Sequence, residues 1–224
     1  MDNFSKENGI GMTSSRTRER LIDRLREKGI SNNLVLERIK DVPRHLFIDE
    51  ALSSRAYEDT ALPIGFSQTI SQPYVVALMT EILLGVLDKD KKFNKVLEIG
   101  TGCGYQTAVL SPFAKKIFSI ERIKPLLHRS RDNLLKINIK NVSFKLSDGY
   151  LGWRDKSPFQ AIIVSAAPPK VPNDLLMQLD NGGRLVIPVG KNDDQNLECI
   201  TRRGDNFDKK TIGSVNFVPL IEGL

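Results

Sequence analysis

The chain has 224 residues, 40% hydrophobic and 27% charged, with 16 glycines and 11 prolines; this excludes a collagen, a coiled-coil rod and a disordered polymer, and suits a single domain, 1–224. Lys and Arg number 33 against 27 Asp and Glu, a net charge of +6, but the 13 basic residues between Asp88 and Lys145 fall singly over several predicted elements and read as solvated faces. No apolar run approaches the roughly 18 residues of a membrane-spanning helix, and the opening MDNFSKENGIGMTSS lacks a signal-peptide pattern, so the expectations are a cytoplasmic address and no membrane partner. Cys103 and Cys199 stand far apart, outside any Cys/His cluster, so neither a disulfide nor a metal site is expected.

Residues 1–12 are polar and aperiodic, as in a terminal tail. A first helix is predicted behind a Ser14 or Ser15 cap, with Leu21, Ile22 and Leu25 on one face and Gly29 as its stop. A second, over 32–40, presents Leu34, Val35, Leu36 and Ile39 and stops before Pro43. Residues 59–71 read as irregular, and a third helix begins near Gln72, with Pro73 in its first turn, and runs to Leu87. Beyond a charged link at 88–95, short apolar runs at 96–99, 117–120, 142–146, 161–164 and 185–189 read as five strands. Helices from Tyr105 and Ile123 separate the first three, and a weaker one spans 172–179. This alternation predicts an α/β fold: a Rossmann-like, doubly wound, mostly parallel sheet with helices on both faces. Runs at 196–201 and 211–218 about Arg202-Arg203-Gly204-Asp205 read as an antiparallel hairpin. An N-terminal helical extension (13–90), an α/β core (91–190) and a C-terminal hairpin and tail (191–224) follow.

The strongest chemical signal is Glu98-Ile99-Gly100-Thr101-Gly102-Cys103-Gly104-Tyr105, a strand end, a glycine-rich turn and a helix start. Such a turn brings backbone close to a ligand, with the amides of a helix N-terminus behind it. A dinucleotide fingerprint is G-x-G-x-x-G; here Tyr105 occupies the third glycine's position, which argues against a nicotinamide oxidoreductase. Glu121 ends the next strand, 21 residues beyond Gly100, where an acid meets a ribose diol. Ser147-Asp148-Gly149 follows the third strand, where an acidic turn reaches an adenine amino group. Three consecutive strand ends thus converge on one nucleoside-binding crevice.

These features resemble the class I S-adenosylmethionine-dependent methyltransferases. The segment Ser165-Ala166-Ala167-Pro168-Pro169 lacks the Asn/Asp-Pro-Pro-aromatic motif of nucleic-acid amino-methylating enzymes, and neither cysteine follows proline as in RNA cytosine-C5 enzymes. An RNA methyltransferase or adenosyl-binding RNA module is the alternative, resting on net charge alone. Together with Leu62-Pro63-Ile64-Gly65-Phe66-Ser67-Gln68-Thr69-Ile70-Ser71-Gln72-Pro73, Val42-Pro43-Arg44, Ala166-Ala167-Pro168 and Phe217-Val218-Pro219-Leu220, the pattern is similar to the protein-L-isoaspartate (D-aspartate) O-methyltransferase family. The resemblance implies a repair enzyme that methylates the free carboxylate of L-isoaspartyl residues, and of D-aspartyl residues, in damaged proteins. It implies S-adenosylmethionine as cofactor and S-adenosylhomocysteine as product; a monomer is expected, and, with those nucleic-acid motifs missing, no specific nucleic-acid partner.

Cofactor contacts are expected from Glu98, Gly100, Thr101, Gly102, Gly104, Glu121, Asp148 and Gly149. Substrate contacts are expected from Thr69, Ile70, Ser71, Ala167 and Val218, with Ser71 matching the family's active-site serine; a structural alternative is that Ser71 caps the following helix. Ser67 stands where the family usually has glycine, and Gln160 where it usually has aspartate. An isoaspartyl carboxylate is ionised at neutral pH, so no general base is needed, and His45 and His128 lie outside every motif.

Overall fold

The computed structural model describes residues 14–87 and 91–224; the predicted tail and the first part of the 88–95 link lie outside them. Helix α1 (Ser15–Glu27) buries Leu21, Ile22 and Leu25, as its apolar spacing requires. Gly29, at φ +98°, ends it, and the Ile30 amide reaches back to the Leu25 carbonyl at 3.1 Å, satisfying a terminal acceptor. Helix α2 (Asn33–Asp41) is capped by the Asn32 side chain, which accepts from the Leu34 and Val35 amides. Val35, Leu36 and Ile39 are buried, but Leu34 is 58% exposed, because it points to the side of the helix away from their stripe.

Residues 59–71 are not irregular. Strands β1 (Leu62–Gly65) and β2 (Gln68–Ile70) form an antiparallel hairpin about a two-residue turn. Phe66 and Ser67 both have φ +55°, the doubly left-handed geometry whose twist matches the strands and which Asn-Gly normally signals. Leu62, Ile64 and Ile70 anchor the hairpin in the core, while Phe66 at its tip is exposed. Helix α3 (Pro73–Leu84) follows and stops at Leu84, short of Leu87.

The main sheet comprises β3 (Phe93–Ile99), β4 (Ala114–Glu121), β5 (Val142–Leu146), β6 (Phe159–Val164), β7 (Leu179–Lys191), β8 (Asp194–Arg203) and β9 (Asn206–Ser214), in the order β5-β4-β3-β6-β7-β8-β9. The first five of these strands run parallel, and the last two add antiparallel. Helices α4 (Tyr105–Leu110), α5 (Lys124–Lys136) and α6 (Asn173–Met177) lie in the crossovers. The chain winds outward from β3 to β5 and returns to β6 on β3's other side. That reversal opens a crevice at the carboxyl ends of the strands.

Alternate strand residues serve two cores. Val96, Ile117 and Val186 join apolar residues of α1 to α5, whereas Leu97, Phe118 and Leu185 pack with Leu175 of α6 and Trp153. The first core runs from Leu21 to Phe217, so both flanking regions share it with the sheet. Strand β9 ends at Ser214, earlier than the predicted 211–218 arm. Residues beyond it are held by a side chain: the Gln195 amide donates to the Phe217 carbonyl (3.0 Å) and accepts from the Phe217 amide (2.8 Å). Exposed Asp208, Lys209 and Lys210 on edge strand β9 discourage pairing with another chain.

Replacing Ser67 with glycine removes side-chain strain at a positive φ. Ser67→Gly is expected to raise stability by about 0.5 kcal/mol, read as a higher urea midpoint with an unchanged slope.

Candidate active site

At the end of β3 the backbone turns through Gly100, Gly102 and Gly104, all with positive φ (+85°, +55° and +90°). Beneath the turn lies Glu98, fully buried. Its Oε2 accepts from the Thr107 and Ser119 hydroxyls, each at 2.6 Å, and Ser119 also bonds the Thr101 hydroxyl at 2.6 Å. Its Oε1 has no partner among the described residues, and burial pushes the carboxyl up to about 7. Glu98 therefore ties β3 to β4 and α4 under the turn and does not line the cavity above it.

That cavity encloses about 840 Å³ including its mouth, and Gly100, Thr101, Gly102, Glu121 and Gly149 line it together with Thr69, Ile70, Ser71 and Val218. Glu121 is 6% exposed; one carboxylate oxygen accepts from the Gly102 amide (2.8 Å) and the other from the Ile123 amide (2.9 Å). Each oxygen retains acceptor capacity for a ribose hydroxyl. Gly149 closes the third strand end: a β-carbon there would lie 2.5 Å from Ile99 Cγ2, so only glycine allows this approach.

Three other predicted residues stand back from the cavity. Gly104 begins α4 against α5, where a β-carbon would be 3.3 Å from Ser130 Cβ. Asp148 accepts from the Tyr150 amide (2.8 Å) and the Gly223 amide (2.7 Å), and Ser147 and Gly149 line the cavity in its place. Ala167 holds a wall residue rather than forming the wall itself: its amide donates to the Val218 carbonyl (2.8 Å) and its carbonyl accepts from the Leu220 amide (2.9 Å). Sequence reasoning missed Arg122, Ile123 and Leu126 on the β4–α5 side and Ile221 opposite, next to Leu220 of the 217–220 tail segment. Arg122 also donates to the Gly223 carbonyl at 3.2 Å. Ile123 and Leu126 carried only a helical period, and the 217–220 segment was expected beside the cleft as a substrate surface, not as a wall of this cavity.

A second, open groove, about 1920 Å³ with the solvent at its mouth included, runs between Tyr74, Val75 and Leu78 of α3 and residues 212–218. It meets the first cavity at four residues, Thr69, Ser71, Ser165 and Val218. Neither His45 nor His128 lines either space.

Ser71 does not cap α3. Asp59 does so from the base of the hairpin, its Oδ1 accepting from the Tyr74 amide (2.8 Å). Asp59 Oδ2 accepts from Gln72 Nε2 (3.0 Å) and pairs with Lys28 Nζ (2.5 Å), and Gln72 also donates to the Asp59 carbonyl (2.9 Å). No hydrogen bond engages the Ser71 hydroxyl among the described residues, which leaves it free where groove and cavity meet.

The residues fit an adenosyl cofactor: apolar walls for a base, a glycine backbone, and an acid at the ribose position. A crevice at the switch point between β3 and β6, floored by this turn, defines an S-adenosylmethionine-dependent methyltransferase of the class I type. The sequence profile of the protein-L-isoaspartate (D-aspartate) O-methyltransferase family matches residues 16–224. Protein-L-isoaspartate O-methyltransferase 1 of Marinobacter nauticus is 55% identical over 216 residues, 96% of each chain. The Pseudomonas aeruginosa protein-L-isoaspartate O-methyltransferase is 56% identical, over 95% of this chain and 99% of its own. A Plasmodium falciparum structure described as a protein-L-isoaspartate O-methyltransferase in complex with S-adenosyl-L-homocysteine superposes with a TM-score of 0.79 at 26% identity, covering 92% of this chain and 99% of that one. The chain belongs to the protein-L-isoaspartate (D-aspartate) O-methyltransferase family.

Two measurements probe this architecture. Because Glu98 has a native pKa of about 7, above the ordinary 4.5, the folded state binds its proton more tightly. Its contribution to stability is complete below about pH 4.5 and is lost as pH rises to about 7, on the order of 3 kcal/mol. Glu98→Gln should abolish that part of the slope in urea unfolding measured from pH 5 to 8 without cofactor. Asp59→Ala, which strands the Tyr74 amide and takes away one of the two acceptors of the Gln72 side chain, should cost about 2 kcal/mol in the same assay.

Proposed function

We propose that this protein is a repair methyltransferase, transferring the methyl group of S-adenosylmethionine to the free carboxylate of L-isoaspartyl residues in damaged proteins and peptides. The single observation that carries the reading is the meeting of an adenosyl-type cavity and a long open groove at an unengaged serine, Ser71. Bound cofactor supplies an electrophilic methyl group on a sulfonium sulfur and leaves as S-adenosylhomocysteine. Everything else falls to the chain's own residues.

Gly100, Thr101 and Gly102 would present backbone to the cofactor, and Glu121 would accept from its ribose. Gly149, with Asp148 behind it, bounds the adenine end, and Glu98 and Gly104 shape the turn. The acceptor carboxylate is already ionised at neutral pH, consistent with the distance of both histidines from the site. The remaining demand is alignment and exclusion of water, because hydration weakens the nucleophile. Ile70 anchors the end of β2 in the core, and Thr69 before it and Ser71 just past the strand both line the groove. In this reading the Ser71 hydroxyl donates to one carboxylate oxygen.

Substrate main chain lies along Val218, whose carbonyl accepts from the Ala167 amide and whose neighbour Phe217 is held by Gln195. Recognition through backbone suits damage that arises in many sequence contexts. Action as a monomer belongs to this reading. Its partners are aged proteins and peptides, with L-isoaspartyl and D-aspartyl sites as acceptors, rather than a specific nucleic acid. No helix among the described residues is long and apolar enough to cross a membrane, which is compatible with a cytoplasmic address.

The test is radiolabelled methyl transfer to a peptide containing L-isoaspartate, beside its normal-aspartate twin. Label on the isoaspartyl peptide alone, released by mild alkali as an ester is, establishes the activity; label on neither or on both refutes it. Ser71→Ala should lower turnover at least tenfold, the worth of a hydrogen bond to a charged group, with thermal stability and S-adenosylhomocysteine affinity unchanged.

A further inference from the structure

Of the four residues shared by cavity and groove, three belong to segments outside the main sheet: Thr69 and Ser71 on the hairpin side and Val218 in the tail. The fourth, Ser165, is set directly on the sheet. It follows the last residue of β6, which is paired with β3 on one side and β7 on the other, and its amide donates to the Ile99 carbonyl at 2.9 Å. Ser165 also packs beside the glycine-rich turn: a β-carbon on Gly100 would lie 3.6 Å from Ser165 Cβ. Its side chain is half-buried, and no hydrogen bond engages its hydroxyl among the described residues. Ser165 thus places a second unengaged serine hydroxyl at the junction where Ser71 stands, on the sheet side.

A carboxylate has two oxygens, and one hydroxyl leaves it free to swing about the hydrogen bond. We infer that Ser165 is a second substrate-positioning residue, its hydroxyl donating to the acceptor carboxylate from the sheet while Ser71 donates from the hairpin. The inference rests on the isoaspartyl reading above. Two donors on opposite walls fix the plane of the carboxylate, and neither hydroxyl loses its proton. They also discriminate. In isoaspartate the free carboxylate sits directly on the branch carbon of the main chain, whereas in normal aspartate it stands one methylene further out. A pair of donors at fixed separation from the groove's backbone-binding edge favours the shorter reach. The sheet-borne donor sets that reach, because β6 is hydrogen-bonded on both edges and the hairpin is not part of that sheet.

The experiment compares wild type, Ser165→Ala and Ser165→Thr with an L-isoaspartyl peptide and its normal-aspartate twin. Methyl-ester formation, peptide affinity for the enzyme saturated with S-adenosylhomocysteine, and S-adenosylhomocysteine affinity by calorimetry are all measured. Ser165→Ala is expected to lower kcat/KM for the isoaspartyl peptide about tenfold to a hundredfold and to weaken peptide binding. S-adenosylhomocysteine affinity should stay within about twofold, and Ser165→Thr, which restores a hydroxyl, should recover most of the loss. An alanine variant as active as wild type, a threonine variant no better than alanine, or a parallel loss of S-adenosylhomocysteine affinity each overturns the inference. Wild type that fails to methylate the isoaspartyl peptide overturns the activity and this role with it; wild-type activity with an indifferent Ser165 overturns the role alone.

Discussion

The fold hangs on a carboxylate that water never reaches. Glu98 gathers β3, β4 and α4 with two short hydrogen bonds, and through Ser119 and Thr101 it reaches the turn itself. Burying such a group is expensive unless it is bonded, and its raised pKa is the visible part of that cost. In return the turn gains a fixed floor. Gly100 to Gly104 can then depart from ordinary backbone geometry, and Glu121 closes the turn from above through the Gly102 amide. A cavity wall made of backbone holds its shape only if something beneath it is rigid.

On the other side of the cleft, labour is divided between two residues that sequence proximity would confuse. A serine before a proline-started helix is an ordinary cap, and had Ser71 served α3 its hydroxyl would have been consumed. Asp59 takes that role from twelve residues upstream, binding the Tyr74 amide and the Gln72 side chain while Lys28 neutralises it. The hairpin between Asp59 and Ser71 is therefore fixed at its base by polar contacts and beneath by Leu62, Ile64 and Ile70.

Much of this was legible because it is local. The 142–146 run matches β5, Tyr105 begins α4, and the glycine spacing with Glu121 at its interval located the crevice. What escaped depends on partners distant in sequence or on turn chemistry without its usual letters. The β1–β2 hairpin turns on Phe66-Ser67, residues that ordinarily avoid positive φ, and Pro63 and Gly65 weaken the strand signal beside it. Strand β7 starts at Leu179, six residues before its predicted start, because Asp180-Asn181-Gly182-Gly183 reads as a loop and is accommodated by a register shift against β6. Asp148 was located correctly at the strand end, yet its engagement with Gly223, 75 residues on, left no trace in the local pattern.

The groove has a consequence for how the protein comes to work during synthesis. One wall belongs to α3 and the hairpin, the other to residues 212–218, and the first core spans Leu21 to Phe217. Chains emerge N-terminus first and fold progressively, so the glycine-rich turn, Glu121 and Ser71 all exist before the second wall does. A nascent chain held short of Phe217 lacks both the 217–218 end of the groove wall and the Val218, Leu220 and Ile221 side of the cavity. Competence to act on other proteins is thus acquired late and as a whole, after nearly all of the chain has found its own fold.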